Sequence, residues 1–388
     1  MGEWRVSVRD EVEGVLREWD AFEVGRGGDP VIDYDCVPGG DAPPPASDRL
    51  TVHRRLAALR ARAEGPVAAR LDADLAYLGA LLGERPALND YVRVTQGCEA
   101  RGWTEEYTEQ RGAQARAALA DLGIAWGPEA NEELRRLEGR LDVADAPDAI
   151  RAAVAELEPA VRALTGSTAR YNLSIETAEV EAYWAYWLDG AGPDVRLRLN
   201  LPNVDFTQVG ARQFALHEVL GHGLQSASLA ERAAREDVPW VRLLSVHALH
   251  QVALEGLAQA WPLFLSLDDE VLTARVRLDH YVQLVRAWSH VAINEGTPAV
   301  ECADRMRARL PWLTDKAIAL PLAGRGADPM LRSYLWAYPA GVDWFAALAE
   351  AGGEVASKVL HAAYREPLTP SDLARLWPEG PVIGGPGA

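Results

Sequence analysis

The chain has 388 residues, 48% of them apolar, enough for a substantial core in one large unit or in two or three domains. Its 57 acidic and 39 basic side chains leave a formal charge of −18. That balance speaks against nucleic acid and anionic membranes as partners, because phosphate binding needs a positive face. Cys36, Cys98 and Cys302 are too few and too scattered for a disulfide framework, and none belongs to a CxxC pair. The most apolar long run, 252–267, is interrupted by Glu255, Gln259 and Pro262 and is shorter than the roughly 20 residues of a membrane span. The opening "MGEWRVSVRDEVEG" lacks an apolar signal core, and Val6 stands where a lipid-anchor motif at Gly2 needs Ser or Thr. A cytoplasmic protein is expected.

In chain order, a helix is expected within 1–24, then an irregular Gly-, Pro- and Asp-rich segment over 26–47, either an ordered wrap or a linker. "SDRLTVHRRLAALRARAEG" opens with a Ser/Asp cap and ends at Gly, and "PVAARLDADLAYLGALLGE" continues with apolar residues every three or four positions. "TEEYTEQRGAQARAALADLGI", "PEANEELRRLEGRL" and "APDAIRAAVAELEPAVRALTG" complete an N-terminal helical region, 1–170. From 171 to 201 the texture is aromatic and β-branched. "DVRLRLNL" alternates as a strand does, which predicts a small antiparallel sheet of two or three strands. Helices resume at "VGARQFALHEVLGHGLQSASLA", "VRLLSVHALHQVALEGLAQAWPLFL", "DEVLTARVRLDHYVQLVRAWSHVAINEG", "TPAVECADRMRARL", "TDKAIALPLAG" and "DPMLRSYLWAYPAGVDWFAALAEAGG", with a last short helix at 370–376. The expectation is a mainly α, multi-helix fold. The small sheet precedes a His-bearing helix, and 171–388 forms the functional region of one unit with a cleft.

That helix carries "HEVLGH". His217 and His222 are five apart, so on an ideal α-helix they differ by about 140° and share no ligand. A π-type turn, with bonds from i to i+5, brings them back towards one face, and Gly221 eases the distortion. Two imidazoles do not complete a catalytic zinc site, which needs a third protein ligand and an open position. Glu255, in the middle of an apolar helix, is the candidate, because an unpaired carboxylate there is costly to bury. Glu218, beside the first histidine, is then placed to act as general base.

"HEVLGHG" resembles the HELLGH motif of the dipeptidyl peptidase III family. Together "HEVLGHGLQ" and "ALEGLAQAW" resemble more closely the bacterial DUF885 family of zinc peptidases, with signatures near HExxPGHHxQ and EGWALY. The matching motifs and the closing "DPMLRSYLWAYPAGVDWF" lie within 205–345. The resemblance implies a gluzincin-type zinc site: His217, His222 and Glu255 as ligands of Zn2+, and Glu218 as the base. It also implies that the strand before the zinc helix is an edge that binds an extended substrate backbone. The sequence departs from the DUF885 pattern in a different spacing between the histidines, no Pro before Gly221, Gly223 in place of an adjacent His, and Leu257 in place of Trp.

Supporting candidates follow. His247 and His250 are read as alternative ligands, as partners that hold a ligand, as substrate contacts or as oxyanion stabilisers. Gln225 is a candidate to orient a ligand. Asn200 and Asn203 are substrate contacts or turn residues around Pro202. Tyr334, Tyr338 and Arg332, with His290 behind them, are candidates to stabilise an oxyanion or bind substrate. The cluster "YWAYW" (183–187) is read as packing. Three functions stay open: a zinc peptidase acting on short peptides, a zinc enzyme acting on a small molecule by hydrolysis, elimination or isomerisation, and a metal-free helical binding protein.

Overall fold

Several helices in this chain start where a side-chain oxygen accepts from the first free backbone N–H groups. In the computed structural model, which describes residues 7–39, 43–181, 185–265 and 268–387, Ser7 caps Val8–Gly25 and Asp48 caps Arg49–Arg60. Thr104 caps Glu105–Asp121 and Thr314 caps Asp315–Ala327. Helix Ala146–Thr165 stops at Gly166, whose left-handed φ of 68° closes its last turn. The fold is mainly α, as the periodicities predict. Helix Leu88–Thr95 has no counterpart in the sequence reading, since at about two turns its periodicity is too brief to stand out.

Two helices expected as continuous are divided. Over 241–265, Leu243–Leu244 is a strand, and the helix begins only at Gln251 and runs to Phe264. His247 and His250 therefore lie in the connecting turn and at the helix cap, not on successive helical turns before Glu255. Over 328–351, Pro329–Tyr334 is a short helix and Ala337–Ala351 a separate one.

The sheet has five strands, β1 Tyr34–Asp35, β2 Asn172–Ala178, β3 Tyr186–Ala191, β4 Asp194–Asn200 and β5 Leu243–Leu244, in the order β2-β4-β3-β1-β5. The three strands expected over 171–201 are present, but the sheet is mixed rather than antiparallel. β3 and β4 form an antiparallel hairpin, β2 runs parallel to β4, and β1 runs parallel to β3 and antiparallel to β5. The expectation that 194–201 forms an edge is corrected, because β4 is paired on both sides. Its inward residues Val195, Leu197 and Leu199 are buried. Leu197 and Leu199 pack with Ile150, Val154 and Leu157 of Ala146–Thr165 and with Leu216, Val219 and Leu220.

The 26–47 segment is ordered where it is described. β1 is set into the sheet, and Asp20 Oδ1 accepts from the N–H groups of Val31 and Ile32. The regions 1–170 and 171–388 share cores. Leu119 packs with Leu278 and Tyr281 of helix Glu270–Asn294, and Val12 and Leu16 share a cluster with Leu243. Asp343 joins them again, accepting from Trp103 Nε1 at 2.7 Å, the Tyr107 hydroxyl at 2.7 Å and His280 Nε2 at 2.9 Å. Among the described residues no helix is long and apolar enough to cross a membrane.

Candidate metal centre

The "HEVLGH" segment is a π-helix. Ala215–Gly223 is inserted between α-helices Gln208–Phe214 and Leu224–Arg235, as the five-residue spacing requires. Close packing of this segment against Gln251–Phe264 depends on Gly221. A Cβ there would lie 2.8 Å from the Ala258 Cβ and 2.8 Å from the Leu216 carbonyl oxygen. Helix Gln251–Phe264 in turn crosses Ala337–Ala351 where Gly256 meets Gly341, and a Cβ on either would overlap the other's backbone. These two glycine-mediated approaches bring the histidines, Glu255 and the two tyrosines of the 334–338 stretch together.

His217 Nε2 lies 3.2 Å from His222 Nε2, and Glu255 Oε2 lies 3.4 Å from the first and 3.7 Å from the second. A tetrahedral site with Zn–N distances of about 2.0–2.1 Å sets ligand atoms about 3.3 Å apart. A circle through the three observed atoms has a radius of about 2.0 Å, so one point is near coordination distance from all of them. The donors also fit by chemistry. Glu255 is buried, yet Oε2 has no hydrogen-bond partner, which leaves a costly orphan unless a cation meets it. Burial raises the Glu255 carboxyl, but the facing His222 and His217 rings outweigh it and hold the group well below the usual carboxylate range. These three residues form a group able to hold a metal ion.

Glu255 Oε1 is occupied. The Tyr334 hydroxyl donates to it at 2.5 Å and lies 2.6 Å from the Tyr338 hydroxyl. Because the Tyr334 proton is committed to Glu255, Tyr338 is the donor of the second bond. The pair forms a chain that orients the carboxylate, and Tyr334 is a positioning residue for it rather than a free oxyanion donor. Glu218 is buried, with Oε1 3.6 Å from His217 Nε2. Burial pushes its carboxyl up to about 7, with His217 opposing and Glu255 reinforcing the shift.

The other sequence candidates lie elsewhere or are committed. His247 Nε2 bonds Asp74 Oδ1 at 2.8 Å, and its ring stacks on Tyr77 with centroids 4.3 Å apart. Asp74 also accepts from Arg70 Nε at 2.9 Å. His250 Nε2 accepts from the Ser245 N–H at 3.5 Å, and burial pushes the ring down to about 3, so it stays neutral. Arg332 donates to Asn294 Oδ1 and the Pro86 carbonyl, and His290 bonds the Arg332 carbonyl at 3.1 Å. Asn200 is buried and bonds both backbone groups of Val180. Asn203 lies in the turn after β4, its N–H donating to the Asn200 carbonyl at 2.9 Å, so turn chemistry accounts for it. Gln225 donates to the Ala363 carbonyl at 2.8 Å and ties its helix to Gly353–Ala363 instead of orienting a ligand.

A cavity of ≈ 270 Å³ opens beside the cluster, lined by Glu218, His222, Glu255, Tyr334 and Tyr338. Among the lining residues that the sequence reading did not single out as site residues are Tyr186, Asp33 and Gln251. Tyr186, from the "YWAYW" stretch, turns an edge-on face to Phe214, and the charges of Glu218 and Glu255 act on its hydroxyl. Residues 183 and 184 of that stretch lie outside the described residues. Asp33 sits inside the irregular 26–47 segment, where no periodicity marks a site.

No family model matches the chain, and no curated protein does. Among solved structures it is similar to a protein from Colwellia psychrerythraea provisionally named a lipoprotein, with a TM-score of 0.55 and 13% identity. The match covers 70% of this chain and 50% of that one, so this chain spans half the length of that protein, and the likeness is one of fold.

Proposed function

We propose that the chain is a zinc-dependent hydrolase, a metallopeptidase acting on short peptides. The observation that carries this reading is the convergence of His217 Nε2, His222 Nε2 and the orphaned Glu255 Oε2 on one point, with Glu218 alongside. The resemblance of "HEVLGHGLQ" and "ALEGLAQAW" to the DUF885 peptidase motifs supports it.

His217, His222 and Glu255 would hold the zinc ion, which would supply Lewis acidity to a carbonyl and to a water molecule. Glu218 takes the proton of the attacking water on its carboxylate and returns it to the leaving group. Its raised pKa, about 7, suits both transfers near neutral pH. The Tyr338–Tyr334 chain holds Glu255 in one orientation throughout. Tyr186, which lines the cavity and has no hydrogen-bond partner among the described residues, supplies the uncommitted O–H for the developing oxyanion. The cavity lies near the lower end of the roughly 300–1,000 Å³ usual for ligand pockets, which favours a substrate of a few residues.

The same small cavity favours, as a second reading, zinc chemistry on a small molecule other than a peptide. Glu218→Gln separates both readings from a non-catalytic role. The variant should retain zinc by elemental analysis and lose about 10²–10⁴-fold in peptide turnover. Full turnover in the variant removes Glu218 from the mechanism. Zinc-loaded wild type that cleaves no member of a peptide library favours the small-molecule reading.

A further inference from the structure

The cavity beside the metal centre has a second polar pole. Asp33, just before β1, and Gln251, at the start of the helix that carries Glu255, both line it. Asp33 Oδ2 and Gln251 Oε1 are each sealed from solvent without a hydrogen-bond partner among the described residues. Gln251 as a whole is only 6% exposed. A backbone donor acting on the Asp33 carboxylate is the Val246 N–H. The cation that acts on it, Arg70, is committed to Asp74, the Leu243 carbonyl and Ser245. Two orphaned acceptors in one cavity, one of them a carboxylate, form the complement of a group that only donates and carries positive charge. An ammonium meets that description, with three donors and no acceptor. An uncharged hydroxyl or amide would leave the carboxylate uncompensated.

We propose that Asp33 and Gln251 bind a primary ammonium group of the substrate and so set its position relative to the metal centre. The inference rests on the proposed metal site and deepens it by naming the substrate class: an amine-bearing carbonyl compound, either a peptide with a free amino terminus or one with a lysine-like side chain. Burial pushes the free Asp33 carboxyl up to about 7, with Asp20 and Asp189 adding to the shift, so an arriving cation relieves an unfavourable charge. Leu188, Leu254 and Met330 line the same cavity and exclude water from the resulting pair.

The test uses the zinc-loaded full chain and two series of hydroxamates, which chelate zinc. One series carries a terminal amine, from glycine hydroxamate up to the aminohexanoyl compound, and the other ends in methyl at matched length. Binding is read by calorimetry, with zinc content measured in parallel. At one chain length the amine should bind about tenfold or more tightly than its methyl counterpart. Asp33→Asn should erase that preference with zinc retained, and Gln251→Leu should weaken it. A short optimum identifies an α-amino group, and a long one a side-chain amine. No preference at any length in the wild type, or a preference that survives Asp33→Asn, overturns the proposal. Protein that takes up no zinc overturns the metal reading itself, and this inference with it.

Discussion

Two histidine–carboxylate clusters flank the same stretch of chain and are built on opposite principles. His247, Asp74 and Arg70 form a set in which a cation and an imidazole already reach the carboxylate, although Asp74 Oδ2 has no hydrogen-bond partner among the described residues. Asp74 Oδ1 accepts from both His247 and Arg70, and the remaining Arg70 N–H groups reach the Leu243 carbonyl and Ser245. All three side chains are buried, so the cluster resembles a hydrogen-bonded core element. His217, His222 and Glu255 form the second set. Their nearest atoms are two ring nitrogens and a carboxylate oxygen that face one another at 3.2–3.7 Å, and that oxygen makes no hydrogen bond among the described residues. Both clusters set histidine against a carboxylate. Each carboxylate keeps one oxygen without a partner, and what differs is that Asp74 already faces the Arg70 cation whereas only imidazoles face Glu255, which leaves its charge for a cation to meet.

The sharpest way to break this comparison is a crossed pair of variants. Glu255→Ala should reduce bound zinc from about one equivalent to under about a tenth, because two imidazoles alone make a poor site. Asp74→Ala should instead leave zinc binding intact and cost about 3–5 kcal/mol of stability, since it strands a buried Arg70 and His247. Metal titration and denaturant unfolding read the two outcomes. If Asp74→Ala loses zinc, the clusters are coupled and the distinction fails.

Tyr334→Phe sharpens the comparison next. It removes the donor to Glu255 Oε1, and zinc affinity should fall about 10–100-fold while the ligands remain. Competition with a chelator of known affinity measures this. An unchanged affinity would mean that the Tyr338–Tyr334 chain serves packing.

The smallest effect concerns Asp33, a third carboxylate, which belongs to neither cluster. Its folded-state pKa is raised from 3.8 to about 7 by burial, with Asp20 and Asp189 adding to the shift and the Val246 N–H and Arg70 opposing it. A raised acid favours its protonated form in the native state. Its contribution to stability is therefore complete below about 3.8 and is lost as pH climbs through about 7. Asp33→Asn has no such titration, so its advantage in melting temperature over the wild type should grow between about pH 5 and pH 8. A difference that stays constant across that range would mean that Asp33 is solvated in the native state.

Much of the candidate site was legible in the residues themselves. Five-residue spacing in "HEVLGH" calls for a π-turn if both imidazoles are to meet, and Ala215–Gly223 is one. A carboxylate in the apolar "QVALEGLAQAW" was costly to leave alone, and Glu255 faces both rings. Asn200, Arg332, His247 and Gln225 were legible as polar residues near the right elements, but not as spoken for. Their partners, Val180, Asn294, Asp74 and Ala363, come from other parts of the chain.

By itself the sequence determined most of the helices, the cap ahead of Arg49–Arg60 and the motif that bends one helix. These depend on periodicity and on hydrogen bonds spanning a few residues, which a linear reading can follow. Tertiary structure alone decided which strands pair and what lines the cavity. The sheet sets Tyr34 between Gly190 and Leu244, joining segments more than a hundred residues apart, and neither short strand has an alternation long enough to announce itself. That pairing carries Asp33 to the wall of the cavity that Glu255 also lines. Such a placement is set by long-range packing, and the residue's neighbours in sequence hold no record of it.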